Sequence, residues 1–178
     1  MSDRASDFER LTTDRLTGAL GYHYLRLRLD EELERAARYS RPLAFLLVDI
    51  DDLRGLNDRY GRPAGDFLLL QVASVLMSGA RMVDRVGRWA GGTFAMVLPE
   101  TGAGAAFGLA ERMRADLAAR RFGGAAIPGA RPLGALRLTV SCGVAAAQLH
   151  DGRGLVARSH EALHRAKLRG RNRSIVDG

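Results

Sequence analysis

The sequence predicts an α/β domain built on a central sheet. Amphipathic helical stretches alternate with short apolar runs along the whole chain, and no repeat, low-complexity tract or long linker divides it. Its 178 residues, 47% hydrophobic and 26% charged, suffice for one globular core. The longest strongly apolar uncharged stretch, Phe67 to Leu76, is about half the ~20 residues a bilayer-crossing helix needs, so no membrane partner is expected.

From Tyr24 to Tyr39, Leu25, Leu29, Leu33 and Ala36 recur every three or four residues while Glu31, Glu34, Arg35 and Arg38 fill other faces, the pattern of an amphipathic helix. Pro42 stops it. Leu43 to Val48 is unbroken and apolar, as in a strand buried on both faces, and it ends at the acidic cluster Asp49-Ile50-Asp51-Asp52. Leu53, Leu56 and Tyr60 predict a short helix, and Gly61 and Pro63 separate it from a longer one carrying Phe67, Leu68, Val72, Val75 and Leu76. Val83 to Trp89 and Thr93 to Leu98 flank Ala90-Gly91-Gly92, a connection suited to a tight antiparallel hairpin.

Pro99-Glu100-Thr101 offers a cap for a helix running to about Arg120, with Phe107, Ala110, Met113 and Leu117 as its apolar stripe. Gly123 to Gly134, with four glycines and two prolines, reads as a mobile loop. Leu136 to Ala146 predicts a strand, Leu155 to about Gly170 a last helix, and Ser174-Ile175-Val176 a terminal strand.

The net charge is +7 and every basic residue but Lys167 is arginine, a side chain that grips phosphates and guanine edges through paired donors. This invites an anionic ligand but fits simple solubility equally. The first residues, Met1-Ser2-Asp3-Arg4 with Asp7 and Glu9 close behind, do not read as a signal peptide, so the cytoplasm is the expected location. Cys142, alone inside an apolar run, reads as a small buried side chain. His160 and His164, at i and i+4, lack a third zinc ligand and read as ordinary surface histidines.

Six motifs stand in order: Asp14-Arg15-Leu16-Thr17-Gly18, Val48-Asp49-Ile50-Asp51, Leu56-Asn57-Asp58-Arg59-Tyr60-Gly61, Gly65-Asp66, Thr139 to Ala145, and Ala166 to Arg173. In sequence and spacing they resemble the GGDEF domains, the diguanylate cyclases. The resemblance implies a domain over residues 14–178 behind a lead-in segment at 1–13. It also implies a mixed, mainly antiparallel sheet flanked by helices, similar to nucleotide cyclase and polymerase palm domains. The family joins two GTP molecules into cyclic di-GMP across a dimer with the help of magnesium. Two-metal chemistry of that kind needs carboxylates converging from adjacent strands.

Asp49 matches the family's first metal ligand, but the signature Gly-Gly-Asp/Glu-Glu-Phe is replaced by Ala90-Gly91-Gly92-Thr93-Phe94. Gly92 has no side chain, and the neutral hydroxyl of Thr93 is a poor ligand for a hard cation. Asp51 and Asp52 share the strand end of Asp49 and do not supply a ligand from the opposite hairpin. The expectation is therefore no cyclase activity, no required cofactor, and weak or absent magnesium binding. Asn57 and Asp66 match the family's guanine-reading residues, and Lys167 and Arg171 its phosphate contacts. Either they still hold GTP, or Asn57 and Asp66 cap or bridge the helices around Gly61 while Lys167 and Arg171 form a solvated basic end.

Arg81-Met82-Val83-Asp84 lies five residues ahead of Ala90, where the family carries an inhibitory Arg-x-x-Asp site for its product. The bare pattern also occurs at Arg4 to Asp7, so only its place before the hairpin is informative. Arginine can donate to guanine O6 and N7 while a carboxylate accepts from N1 and N2. The resemblance implies a stacked pair of cyclic di-GMP molecules, with Arg112 as a secondary arginine and a homodimer cross-linked by ligand. The alternative is a local surface ion pair between Arg81 and Asp84. The favoured expectation is an inactive receptor for cyclic di-GMP acting on a protein partner or under an attached sensory domain. A GTP-binding regulator and a structural dimerisation module are the alternatives. Nucleic acid is not expected at Arg165 to Arg173, where no aromatic platform accompanies the basic run.

Overall fold

The computed structural model describes residues 12–123, 127–147 and 154–177. Five strands, β1 (Leu43–Ile50), β2 (Arg85–Ala90), β3 (Thr93–Pro99), β4 (Val140–Ala147) and β5 (Ser174–Val176), form one sheet in the order β2-β3-β1-β4-β5. All neighbours are antiparallel except β4 and β5, so the sheet is mixed and mainly antiparallel. The helices are α1 (Tyr22–Tyr39), α2 (Leu53–Tyr60), α3 (Arg62–Gly79), α4 (Ala103–Ala119) and α5 (Leu155–Leu168).

The unbroken apolar run of β1 has its reason in the layering. Ala44, Leu46, Val48 and Ile50 point to one face and pack with Leu68, Val72 and Leu76 of α3 and Ala110, Met113 and Leu117 of α4. Leu43, Phe45 and Leu47 point to the other, against Leu25 and Leu29 of α1 and Leu155 and Leu163 of α5. A strand covered on both faces has no polar face to alternate with. Cys142 on β4 is fully buried, and burial is the chief cause that pushes its thiol up to about 12. His160 lies with its ring 6.2 Å from that of Trp89.

Three local expectations need correction. Thr101 does not cap α4: Glu100 adopts φ 50°, the Thr101 hydroxyl donates to the Pro99 carbonyl at 2.8 Å, and Gly102 takes the N-cap position. The strand expected from Leu136 begins only at Val140: the β1–β4 ladder ends with Ile50 opposite Val140, and β1 offers one further bond, from the Asp51 N–H to the Thr139 carbonyl at 3.0 Å, before the chain turns into α2. Leu136 instead bridges to Phe122. The strand expected from Val83 begins at Arg85, since Asp84 closes a turn on Arg81. Part of the expected loop, residues 124–126, lies outside the described residues, as do Arg4 and Asp7 and almost all of the lead-in segment. Among the described residues no helix is long and apolar enough to cross a membrane.

Candidate functional site

Two clusters of polar side chains sit near opposite ends of β3. At its first residue, Thr93 pairs with Asp49 in the β1–β3 register, which sets both side chains on the same face of the sheet. Thr93 Oγ1 donates to Asp49 Oδ2 at 2.5 Å, and Lys167 Nζ, from the last turn of α5, lies 2.7 Å from Asp49 Oδ1. Both carboxylate oxygens are thereby engaged. Gly92 faces α2 so closely that an added Cβ would stand 2.7 Å from Leu53 Cδ2. Gly91 turns the hairpin at φ 53°, and Ala90 and Gly91 are exposed at its tip. Arg88 holds the tip by donating to the Gly91 carbonyl from Nε at 3.1 Å and Nη2 at 3.0 Å while its Nη1 reaches Asp14 at 3.3 Å.

The neighbouring aspartates are not spare metal ligands. Asp51 is buried, with Oδ1 accepting from Ser141 Oγ at 2.7 Å and Oδ2 from Thr139 Oγ1 at 2.7 Å and the Asn172 backbone N–H at 3.1 Å. Asp52 is exposed at φ 54°, with its carboxylate over Gly55 in the first turn of α2. Among the described residues no group of three His, Cys, Asp or Glu side chains gathers as a metal site. The donor set at Asp49 therefore does not fit a divalent cation: one charged ligand is present and its counter-charge is an ammonium.

Asn57 on α2 lies against Gly65 on α3, where an added Cβ would stand 1.8 Å from Asn57 Oδ1. That oxygen is buried and without a hydrogen-bond partner among the described residues. Neither Asn57 nor Asp66 caps a helix through its side chain: Gly61, at φ 94°, both ends α2 and begins α3. Nor is Lys167 part of a solvated basic end, since Asp49 holds it. Arg171 is exposed in a left-handed turn at φ 61°. Sequence reasoning missed a network behind this turn, in which Glu111 takes Arg114 through two hydrogen bonds of 2.9 Å, and Arg114 Nη1 donates to Asn172 Oδ1 at 2.8 Å. The i, i+3 spacing of Glu111 and Arg114 on α4 was the available signal, whereas their meeting with Asn172 exists only in the fold.

At the far end of β3, Arg81, Asp84 and Arg112 line one cleft of about 410 Å³ together with Gly79, Leu98 and Thr101. The expected alternative, an Arg81–Asp84 ion pair, is not among the contacts of the described residues. Asp84 Oδ2 instead accepts from the Arg81 backbone N–H at 2.7 Å, leaving the exposed guanidinium unengaged by that carboxylate. Asp84 Oδ1 is buried and has no partner among the described residues. Arg81 and Asp84 also line a second cleft of about 260 Å³, together with Gly18, Leu20 and Met77. Arg85 braces the turn through Nη1, which donates to the carbonyls of Met82 and Val83 at 3.0 Å and of Asp84 at 3.1 Å.

Residues 11–173 match the family model of the diguanylate cyclase GGDEF domain. The chain belongs to that family. It is 33% identical over 166 residues to the response regulator PleD of Caulobacter vibrioides, an alignment covering 92% of this chain and 36% of PleD. It is 38% identical over 171 residues to the diguanylate cyclase DgcM of Escherichia coli K12, covering 92% of this chain and 38% of DgcM. The chain thus spans little more than a third of the length of these two curated relatives. Its fold matches the GGDEF domain of DgcB from Caulobacter crescentus, solved in complex with c-di-GMP, with a TM-score of 0.85 and 29% identity over 93% of this chain and 95% of that one. The sheet and its helical layers are those of a GGDEF domain, as the motifs led one to expect.

Proposed function

We propose that this domain is a cytoplasmic GGDEF module without cyclase activity that binds cyclic di-GMP at Arg81 and Asp84 and acts as its receptor. The observation that carries the binding is Asp84 Oδ1, a buried acceptor lacking a partner among the described residues, beside a guanidinium that Asp84 does not hold and in one cleft with Arg112. Buried polar atoms are rarely left unpaired, because desolvation without a hydrogen bond is costly. Guanine supplies the missing chemistry: donors at N1 and N2 for the carboxylate and acceptors at O6 and N7 for the arginine. A stacked pair of ligands would use Arg112 as well and could bridge two copies of the chain.

Inactivity rests on the other end of β3. Without carboxylates at positions 92 and 93, and with both oxygens of Asp49 committed, the residues present do not fit the metal clamp that in-line attack on a triphosphate uses. Each ~1.4 kcal/mol of lost transition-state stabilisation is a factor of ten in rate, so turnover should fall by many orders of magnitude.

Calorimetric titration with cyclic di-GMP tests the reading. Wild type binds, Arg81→Ala loses most of the affinity, and Arg112→Ala loses a smaller part. Equal binding by Arg81→Ala and wild type removes the site, and magnesium-dependent conversion of GTP removes the claim of inactivity.

A second reading, that the domain binds GTP as a regulator, is favoured by Asn57 Oδ1, a buried acceptor without a partner among the described residues at a position that matches the family's guanine-reading residue. GTP binding that disappears in Asp66→Ala would support it.

A further inference from the structure

We propose that Lys167 is the resident cation of the hairpin pocket, and that phosphate-bearing ligands enter by competing with Asp49 for it rather than by bringing a divalent metal. This rests on the second reading, GTP at the degenerate pocket, whose own test is Asp66→Ala, and does not depend on Arg81 or Asp84. The geometry is one carboxylate with two partners, Lys167 Nζ at 2.7 Å and Thr93 Oγ1 at 2.5 Å. An ammonium and a hydroxyl thus fill the places where a metal-binding carboxylate would need open oxygens. Asp49 is largely buried, with 16% of its side chain accessible, so its charge needs a nearby counter-charge. No arginine is paired with it among the described residues, and Lys167 is the chain's single lysine.

The consequence reverses the usual sign of a mutation. In a metal-dependent pocket, neutralising the first metal ligand removes the ion that neutralises the triphosphate, and nucleotide binding weakens. Here, neutralising Asp49 releases Lys167 and removes a like charge facing the phosphates, so binding strengthens. The partly exposed position of Lys167, 36% accessible, leaves it able to turn toward an anion once released.

The test is GTP binding by calorimetry, with excess magnesium and again with EDTA, and it involves no turnover. Wild type binds with the same affinity in both conditions. Asp49→Asn binds GTP on the order of tenfold more tightly than wild type, and Lys167→Met binds more weakly. Magnesium added alone leaves the melting temperature of wild type unchanged, which keeps the test open should a variant fold poorly. Tighter GTP binding in magnesium, a magnesium-induced rise in melting temperature, or an Asp49→Asn variant that binds no better than wild type would each overturn the proposal. Absence of measurable GTP binding in both wild type and Asp49→Asn counts as that last result. The receptor reading is judged separately, by cyclic di-GMP titration of Arg81→Ala.

Discussion

The two ends of β3 treat their charges in opposite ways. At the hairpin end, Asp49 has both oxygens engaged by residues of the chain itself, and Asp51 two positions on has three donors. At the other end, Asp84 spends one oxygen on its own turn and leaves the second buried and unpartnered among the described residues. Five residues at roughly 3.3 Å each separate Thr93 from Leu98, which lines the second site, a span of about 17 Å. Perturbations that far apart, with no shared partner, should act nearly independently. The contrast is one of satisfaction: the hairpin end closes its polar groups on one another, and the Arg81 end holds an acceptor in deficit.

The strongest way to break this comparison is to show that the aspartates at the hairpin end are interchangeable. Asp51→Ala would strand the buried Ser141 hydroxyl, at about 1 kcal/mol or more, and free the half-buried Thr139 hydroxyl and the Asn172 N–H, which water can partly satisfy. The expected loss is roughly 2 kcal/mol in a denaturant-unfolding experiment. Asp49→Ala should cost less, since Lys167 remains partly solvated without it. Equal losses would mean that Asp51 is no more structural than its neighbour.

Asp84→Asn sharpens the other half. The asparagine keeps one oxygen for the Arg81 N–H, so the turn survives, but it presents an amide donor where guanine also presents donors. Affinity for cyclic di-GMP should fall by about 1–3 kcal/mol, the range of a bidentate base contact, with little change in unfolding midpoint. If the midpoint falls and the affinity does not, Asp84 is a turn residue only.

Most of the fold was legible because hydrophobic period and glycine placement are local signals. β1, the two helices around Gly61, the hairpin and the terminal strand all followed from them, while the parallel pairing of that strand with β4 did not. What failed was what a partner decides. Residues 136–139 carry strand-like residues, but the regular ladder with β1 ends at Ile50 opposite Val140, and no local pattern reports the length of the neighbouring strand. Thr101 has the right chemistry for a cap, but the positive φ of Glu100 turns its hydroxyl back to Pro99. The loss of acidic residues at positions 92 and 93 was plain in the sequence, whereas the capture of Asp49 by Lys167 joins residues from β1 and α5 that only the fold brings together. The turn at Arg81 was found by its distance from the hairpin, whereas the unpartnered Asp84 oxygen is a product of the folded turn that no spacing reveals.

The smallest expected effect tests a strap at the hairpin end, the Arg88 guanidinium that ties the hairpin tip to Asp14. Burial pushes the Asp14 carboxyl up, but hydrogen bonds from the Thr17 hydroxyl at 2.7 Å and backbone N–H at 2.9 Å, with Arg88 beside it, outweigh burial and hold it below its ordinary value of 3.8. A carboxyl whose folded value is depressed adds stability that is fully present above the unfolded value and is lost as pH falls through the folded one. Wild type should therefore exceed Asp14→Asn by a constant margin at neutral pH, under about 1 kcal/mol for a partly exposed pair. The margin should begin to shrink near pH 3.8 and close at lower pH, as read from unfolding midpoints across the acid range. A margin that persists below that range would assign the strap to shape and not to charge. A margin that closes without changing cyclic di-GMP affinity would show that the hairpin end can loosen while the Arg81 end keeps its form.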